Sequence, residues 1–308
     1  MKTVVITGGT GLVGKRLTAM LLDKGYNVIV LTRKSQISNV TNLQYAVWNV
    51  DTQTIDEDAI KKANYIVHLA GAGVADKRWT EKRKQEIVNS RTQSSSLLVK
   101  ALQTIPNNVA AVISASAIGW YGPDPSVHAN GFEENDLPPN NFLSNTCKAW
   151  EESINPVKEL NKRLVKLRIG IVLSQNGGAL KEFIKPIKMG VAAILSNGQQ
   201  IVSWIHIDDL CRAFMYAIEN NNMQGVYNAV ASQPVSNKTL TLQIAKTLKG
   251  KWFIPVHVPS FVLKIMLGEM SIEVLKSTTV SNSKLKQSGF SFGFDDLEKA
   301  LNNLLLKQ

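Results

Sequence analysis

Three glycines spaced three residues apart, Gly8, Gly11 and Gly14, follow the apolar run Val4-Val5-Ile6 and precede a helix-compatible stretch over residues 15–24. A buried strand, a glycine turn and a helix start together aim backbone N–H groups and the positive end of a helix dipole at a phosphate. Thr10, Leu12 and Val13 complete that turn. A second strand over residues 26–31 closes a βαβ unit of the size that holds a dinucleotide. Next come Thr32-Arg33-Lys34. An acid at this place, about 20 residues past the glycines, would accept a hydrogen bond from the free ribose 2′-OH of NAD, whereas an Arg accommodates the 2′-phosphate of NADP. The chain offers two cations and no acid, so the expected cofactor is NADP(H) in preference to NAD(H).

A second group of reactive side chains lies in Ser114-Ala115-Ser116-Ala117-Ile118-Gly119-Trp120-Tyr121-Gly122, at the end of the apolar run 109–113. Hydroxyls at the end of a parallel strand face the nicotinamide end of such a cofactor. Tyr121 is therefore the expected proton-handling group and Ser116 a polarising hydrogen-bond donor. Between the two groups, residues 65–69 run into Ala70 and Gly71, small enough for a cofactor to pass close to the backbone beside Leu69. His68, inside that apolar run, reads as a packed strand histidine before a catalytic one.

The elements that must position these groups alternate strand and helix. Strands are expected at 43–48, 65–68, 109–113 and 164–169, and helices at 56–62, 80–102 and 142–160. Residues 124–141, with four prolines in or just before them, read as a long loop and a substrate lid. The expected fold is α/β, a Rossmann-type doubly wound parallel sheet over residues 1–175 with a strand at 226–230 rejoining it. Residues 176–308 form a smaller substrate-side lobe, with a C-terminal appendage from about residue 252. Asp208 or Asp209 is the expected N-cap of a helix over 208–219. His206 either orients that lobe or faces the cleft, the structural role being favoured.

Composition narrows the function classes. At 308 residues, 44% hydrophobic and 19% charged, the chain has the make-up of a globular protein with a sizeable core. The opening apolar run is too short for a signal peptide, and residues 261–267, broken by Lys264, are too short to span a bilayer. Cys147 and Cys211 make no disulfide framework and lack metal-ligand spacing. A cytoplasmic protein without a metal is expected. The net charge of +11 suits phosphorylated small anions, and without a nucleic-acid-binding signature it does not argue for nucleic acid.

The opening Thr7-Gly8-Gly9-Thr10-Gly11-Leu12-Val13-Gly14 resembles the extended short-chain dehydrogenase/reductase superfamily. A narrower resemblance, to an atypical branch known as the epimerase family with a distinctive C-terminal domain, runs along the whole chain. It rests on His68-Leu69-Ala70-Gly71, Lys77-Arg78-Trp79-Thr80, Ser90-Arg91, Ser116 to Gly122, Cys147-Lys148-Ala149-Trp150-Glu151, Gly177-Gly178-Ala179-Leu180, Gly198-Gln199-Gln200, Ser203-Trp204-Ile205-His206-Ile207-Asp208-Asp209-Leu210, Leu267-Gly268-Glu269-Met270 and Ser288-Gly289-Phe290-Ser291-Phe292. The resemblance implies further cofactor contacts at Glu86, Arg91 and Val172.

One departure from the superfamily bears on chemistry. Its active members carry a Tyr, and four residues later a Lys, on the helix after the strand expected here at 109–113. Anchored on Glu151 those positions hold Leu143 and Cys147; slid by one they hold Ser144 and Lys148. The pair is absent in either register. The expected function is an NADP(H)-binding oxidoreductase or epimerase-like enzyme on a small molecule, with room for a homodimer. The alternative is a catalytically silent NADPH sensor.

Overall fold

Val4, Val5 and Ile6 have no exposed surface because the strand they form, β1 (Thr3–Thr7), lies inside an eight-stranded sheet. The computed structural model describes residues 1–125 and 131–306. β1 leads through the glycine turn into α1 (Leu12–Asp23) and β2 (Asn27–Thr32). There follow β3 (Leu43–Asn49), the two-residue β4 (Thr54–Ile55), α2 (Glu57–Lys62), β5 (Tyr65–His68), α3 (Glu81–Thr104) and β6 (Ala111–Ala117). After α4 (Phe142–Ile154) the chain returns as β7 (Arg163–Ile169). Residues 155–160 do not continue α4 as the sequence suggested; they form a 3₁₀ segment with Pro156 in its first turn, where proline has no N–H to extend the α-helical ladder.

Beyond β7 come β8 (Ile171–Leu173), α5 (Ala179–Lys188), β9 (Val191–Leu195), β10 (Ile201–Val202), β11 (Trp204–His206), α6 (Ile207–Glu219) and β12 (Gly225–Ala229). The chain ends with β13 (Val235–Ser236), α7 (Asn237–Lys249), β14 (Ile254–Val258), α8 (Ser260–Leu267), α9 (Ser271–Leu275), α10 (Ser283–Gln287) and α11 (Leu297–Leu305).

The sheet order is β12-β7-β6-β5-β1-β2-β3-β4, parallel except for the β3–β4 pair. Strand order reverses at β1, whose neighbours are β2 and β5. The carboxyl ends at that reversal carry Gly8 and residues 69–71, so the fold puts its ligand crevice there. Alternate residues of β1 face opposite layers. Val4 and Ile6 join a core with Leu17 and Leu21 of α1 and Phe214 and Ile218 of α6, while Val5 packs with Ile60 of α2 and Leu97 and Leu98 of α3.

The C-terminal segment is woven into the rest. β14 pairs with β9, β12 lies beside β7, and Leu285, Phe290 and Leu301 join the core that holds α1 and α6. The loop read as a lid lies partly outside the described residues. Its described flanks are tied down: Asp124 accepts from Thr279 N and Oγ1 at 2.6 and 2.7 Å, Trp120 Nε1 donates to Asp136 O at 2.8 Å, and Phe132 bridges to Val280. No helix among the described residues is long and apolar enough to cross a membrane.

Candidate functional site: the glycine turn and its neighbours

The turn is built so that only hydrogen fits at two of its glycines. Gly8 has φ of 68°, and a Cβ there would lie 2.8 Å from the Leu69 carbonyl carbon. A Cβ on Gly14 would lie 2.4 Å from Gly8 O. Gly11 is the N-cap of α1 and supplies no capping side chain, and no acid occupies the first turn. The leading N–H groups of the helix, those of Leu12 and Val13 among them, are therefore left for an external acceptor, with the dipole favouring an anion. Thr10 lies exposed on the rim.

At the end of β2, Thr32 is buried and its Oγ1 donates to Lys34 O at 2.7 Å, which fixes the bend that carries Arg33. Arg33 and Lys34 are exposed, and among the described residues neither has a carboxylate partner.

Across the crevice, a chain of hydrogen bonds locks Leu69 and Ala70. Both N–H groups donate to Thr7 Oγ1, at 3.1 and 3.2 Å, so the Thr7 hydroxyl proton points to His68 Nδ1, 2.7 Å away. The His68 proton is then on Nε2, facing Ser95 Oγ at 3.1 Å, and Ser95 donates onward to Arg91 O at 2.9 Å. Burial, with the nearby Arg91 charge, pushes the His68 imidazole down to about 3. His68 is neutral, enclosed and structural.

Arg91 is buried beside Gly71, where a Cβ would meet its guanidinium at 3.1 Å. Its Nη1 donates to Ala72 O and Ile87 O at 3.0 and 2.9 Å, and its guanidinium lies 4.9 Å from the centre of the Trp150 ring. No carboxylate pairs with it among the described residues. Desolvation lowers its pKa, the response of a buried cation lacking an anion. Glu86, one turn earlier, is half exposed and bound to Arg83 Nη1 at 2.7 Å, while Arg83 Nη2 reaches Gly73 O on the same loop. Val172 lies on β8, paired with Ile205 of β11.

Ser116 and Tyr121 do not stand in the crevice as expected. Tyr121 has no exposed surface; its hydroxyl donates to Asn228 Oδ1 at 2.7 Å, accepts from Arg168 Nη1 at 3.0 Å, and its ring stacks on Phe132. Burial pushes the phenol up to about 12, far from the range of a neutral-pH acid–base group. Ser116 donates to Glu151 Oε1 at 2.7 Å. Glu151 is gripped by Arg168 Nε and Nη2 at 2.8 and 3.2 Å, with Lys166 Nζ at 3.4 Å. Both residues expected to be catalytic thus belong to one buried polar network. Its other members, Glu151, Lys166, Arg168 and Asn228, escaped the sequence reading. The available signal was Arg168, a cation inside the apolar strand run at 164–169, which a buried strand admits only with a partner.

At the positions of the missing Tyr and Lys, Leu143 and the Cys147 sulfur pack 3.4 and 3.5 Å from where a Gly119 Cβ would stand. Burial pushes the Cys147 thiol up to about 12, so it is uncharged.

The N-cap of α6 is neither Asp208 nor Asp209. His206 Nδ1 accepts from Asp208 N at 3.0 Å, and its ring stacks on Phe294 at 3.9 Å. The two acids are spent elsewhere: Asp208 on Arg16, at 2.6 and 3.0 Å, and Asp209 on the N–H groups of Gly293 and Phe294, both at 2.8 Å. Among the described residues no cluster of three or more His, Cys, Asp or Glu could hold a metal.

A nucleotide-binding parallel sheet with this turn, and with a C-terminal segment folded back onto it, defines the class. Residues 4–229 match the NAD dependent epimerase/dehydratase family, to which the chain belongs, and residues 258–304 match a domain of unknown function. An "epimerase family protein" of Staphylococcus epidermidis is 32% identical over 305 residues, covering 99% of each chain. Another, YfhF of Bacillus subtilis, is 32% identical over 302 residues, 98% of this chain and 97% of that one. Among solved structures, the human epimerase family protein SDR39U1 (isoform 2) with NADPH superposes with a TM-score of 0.87 at 27% identity, covering 99% of this chain and 100% of that one. A nucleoside-diphosphate sugar epimerase of Corynebacterium glutamicum gives 0.76 at 30% identity, over 99% of this chain and 58% of that one.

Proposed function

We propose that the chain is an NADP(H)-dependent oxidoreductase or epimerase-like enzyme, of atypical short-chain dehydrogenase/reductase type, on a small molecule. The observation that carries the cofactor reading is Arg33 with Lys34, exposed at the end of β2 and without an acid partner among the described residues, together with a glycine turn whose helix N-terminus is uncapped. Gly8, Thr10, Gly11, Leu12, Val13 and Gly14 would hold the pyrophosphate, and Thr32 and Arg33 the adenosine ribose 2′-phosphate. Leu69, Ala70 and Gly71 would lie along the dinucleotide, with Arg91 supplying a cation behind them. Glu86 would act through its pair with Arg83, and Val172 from β8. The nicotinamide ring, when bound, supplies or accepts a hydride at C4. The human relative determined with NADPH supports the same cofactor here. The reading includes a cytoplasmic protein and admits a homodimer.

A second reading, an NADPH sensor without turnover, is favoured by one observation: Tyr121 and Ser116 are committed to the Glu151–Arg168 network, and the superfamily's Tyr and Lys are absent. Single-turnover oxidation of bound NADPH in the presence of a metabolite pool separates the two. Oxidation that requires a metabolite establishes the enzyme. Tight binding with no oxidation establishes the sensor.

A further inference from the structure

A helix as apolar as α8 is normally enclosed, yet of its six apolar residues only Leu263 is buried. Phe261, Ile265 and Met266 are 63, 70 and 67% exposed. The strand that leads into α8 through Pro259 is equally bare. β14 is an edge of a two-stranded sheet, and Ile254 and Val256 share its open face with Val191 and Ala193 of β9. The other face of β9 is closed, with Ala192 and Ile194 in one core with Ile187 of α5 and Leu240 of α7. At the start of the sheet Ile254 N donates to Gly190 O at 2.8 Å, which joins the turns carrying Met189 and Trp252, 79 and 87% exposed.

The charge around this surface has one sign. No Asp or Glu occurs between Glu182 and Asp208 or between Glu219 and Glu269, the two stretches that supply it. Lys188, Lys249, Lys251 and Lys264 in those stretches are exposed and have no ion-pair partner among the described residues. The bounding acids are engaged: Glu182 holds Lys185 and Glu269 holds Lys84, each at 2.6 Å. Bare aromatic and aliphatic side chains among unpaired lysines match an anionic bilayer surface. There the apolar groups enter the acyl boundary, and the lysine heads stay at the phosphates. A two-fold contact with a second copy would instead set these lysines against one another with no acid between them. A partner strand would meet a poor edge: Ile254 N points to β9, and the next, outward position is Pro255, which has no N–H.

We propose that the open β9–β14 face and α8 form a peripheral membrane-binding surface. Lys188, Lys249, Lys251 and Lys264 would meet anionic phospholipid headgroups, and Trp252, Phe261 and Ile265 would enter the acyl boundary. The attachment lies on a bilayer without spanning it and requires neither cofactor nor turnover.

The test is co-sedimentation of the intact protein, without NADPH, with vesicles of phosphatidylcholine alone or of equal parts phosphatidylcholine and phosphatidylglycerol. Saturable binding to the anionic vesicles, far weaker on the neutral ones, is expected. Lys249→Gln/Lys251→Gln should weaken it about 30-fold. Trp252→Ser/Phe261→Ser should weaken it about 10- to 100-fold. The charge-matched control Lys62→Gln/Lys100→Gln lies on α2 and α3, whose core is separate from that of β9, and should leave binding unchanged. No binding to anionic vesicles would overturn the proposal. Equal losses in the control and the surface variants would also do so, reducing the effect to attraction by net charge. A dimer in sedimentation velocity that Trp252→Ser/Phe261→Ser dissociates would give the face to a second copy instead. Should the serine pair unfold, bromine-labelled acyl chains report insertion in the wild type by quenching Trp252, the most exposed of the six tryptophans. Absence of quenching would then overturn the proposal.

Discussion

Thr7 Oγ1 and His68 Nδ1 lie 2.7 Å apart, and this contact ties the end of β1 to the end of β5 where the sheet order reverses. Through the same oxygen Thr7 holds the N–H groups of Leu69 and Ala70, and through Ser95 the imidazole reaches the α3 backbone at Arg91. The crevice floor is therefore set by a neutral histidine.

That neutrality has a pH consequence. The folded-state value is about 3 against an ordinary 6.5, so the folded protein resists protonation of His68 more than the unfolded chain does. The stability it confers is present above about pH 6.5 and is lost as pH falls towards 3, at up to about 1.4 kcal/mol per pH unit. His206, pushed down mainly by burial to about 4, adds a slope of the same sign. Urea unfolding at a series of pH values should show a steep decline below pH 6.5 in the wild type and a shallower one in His68→Gln. Equal slopes would remove His68 from the explanation.

Glu151→Ala leaves Arg168 and Lys166 buried without their anion. Breaking a buried pair in this way costs about 3–5 kcal/mol, so a large fall in unfolding free energy is expected at pH 7. In the wild type, burial would raise the Glu151 pKa, but the Arg168 hydrogen bond and charge, with Lys166 and Ser116, outweigh it and hold the carboxyl below its ordinary value. Its stabilising contribution is thus present above about pH 4.5 and disappears as pH falls through the lowered value. Denaturant melts at neutral and strongly acidic pH should find the gap between wild type and Glu151→Ala wide at the first and narrowed at the second.

Arg33→Asp should weaken NADPH binding much more than NADH binding, because the new carboxylate repels the 2′-phosphate and accepts from a free 2′-OH. Loss of one favourable ion contact and gain of a repulsive one corresponds to about 10- to 100-fold. Calorimetric titration with both cofactors decides it. Equal losses, or none, would take Arg33 out of the site.

Tyr121→Phe deprives Arg168 and Asn228 of a buried partner and should cost about 1–3 kcal/mol of stability, with NADPH affinity unchanged. If turnover is found, its loss in a variant of undiminished stability would return Tyr121 to the chemistry. Thermal melts and cofactor titration on one preparation distinguish the cases.

The glycine turn was legible in the sequence because its signal is local. Spacing, strand propensity and the need for hydrogen at Gly8 and Gly14 are properties of a dozen consecutive residues. His68 was also legible as a packed residue, since an apolar run encloses whatever lies within it. Ser116 and Tyr121 were misread for the complementary reason. A hydroxyl at a strand end is equally suited to a substrate or to a buried ion pair, and Glu151, Arg168 and Asn228, which settle the matter, come from a helix and two other strands. The cap of α6 was misassigned because Asp is the commoner capping residue, while Arg16 and the Gly293–Phe294 backbone, distant in the chain, claim both aspartates.

Sequence by itself thus determined the βαβ opening, the missing Tyr and Lys, and the two cations after β2, all of them features carried by neighbouring residues. Tertiary structure decided which polar side chains face the crevice and which are enclosed. A hydroxyl or carboxylate takes its role from the partners that desolvate and pair it, and those partners are brought together only by the folded sheet.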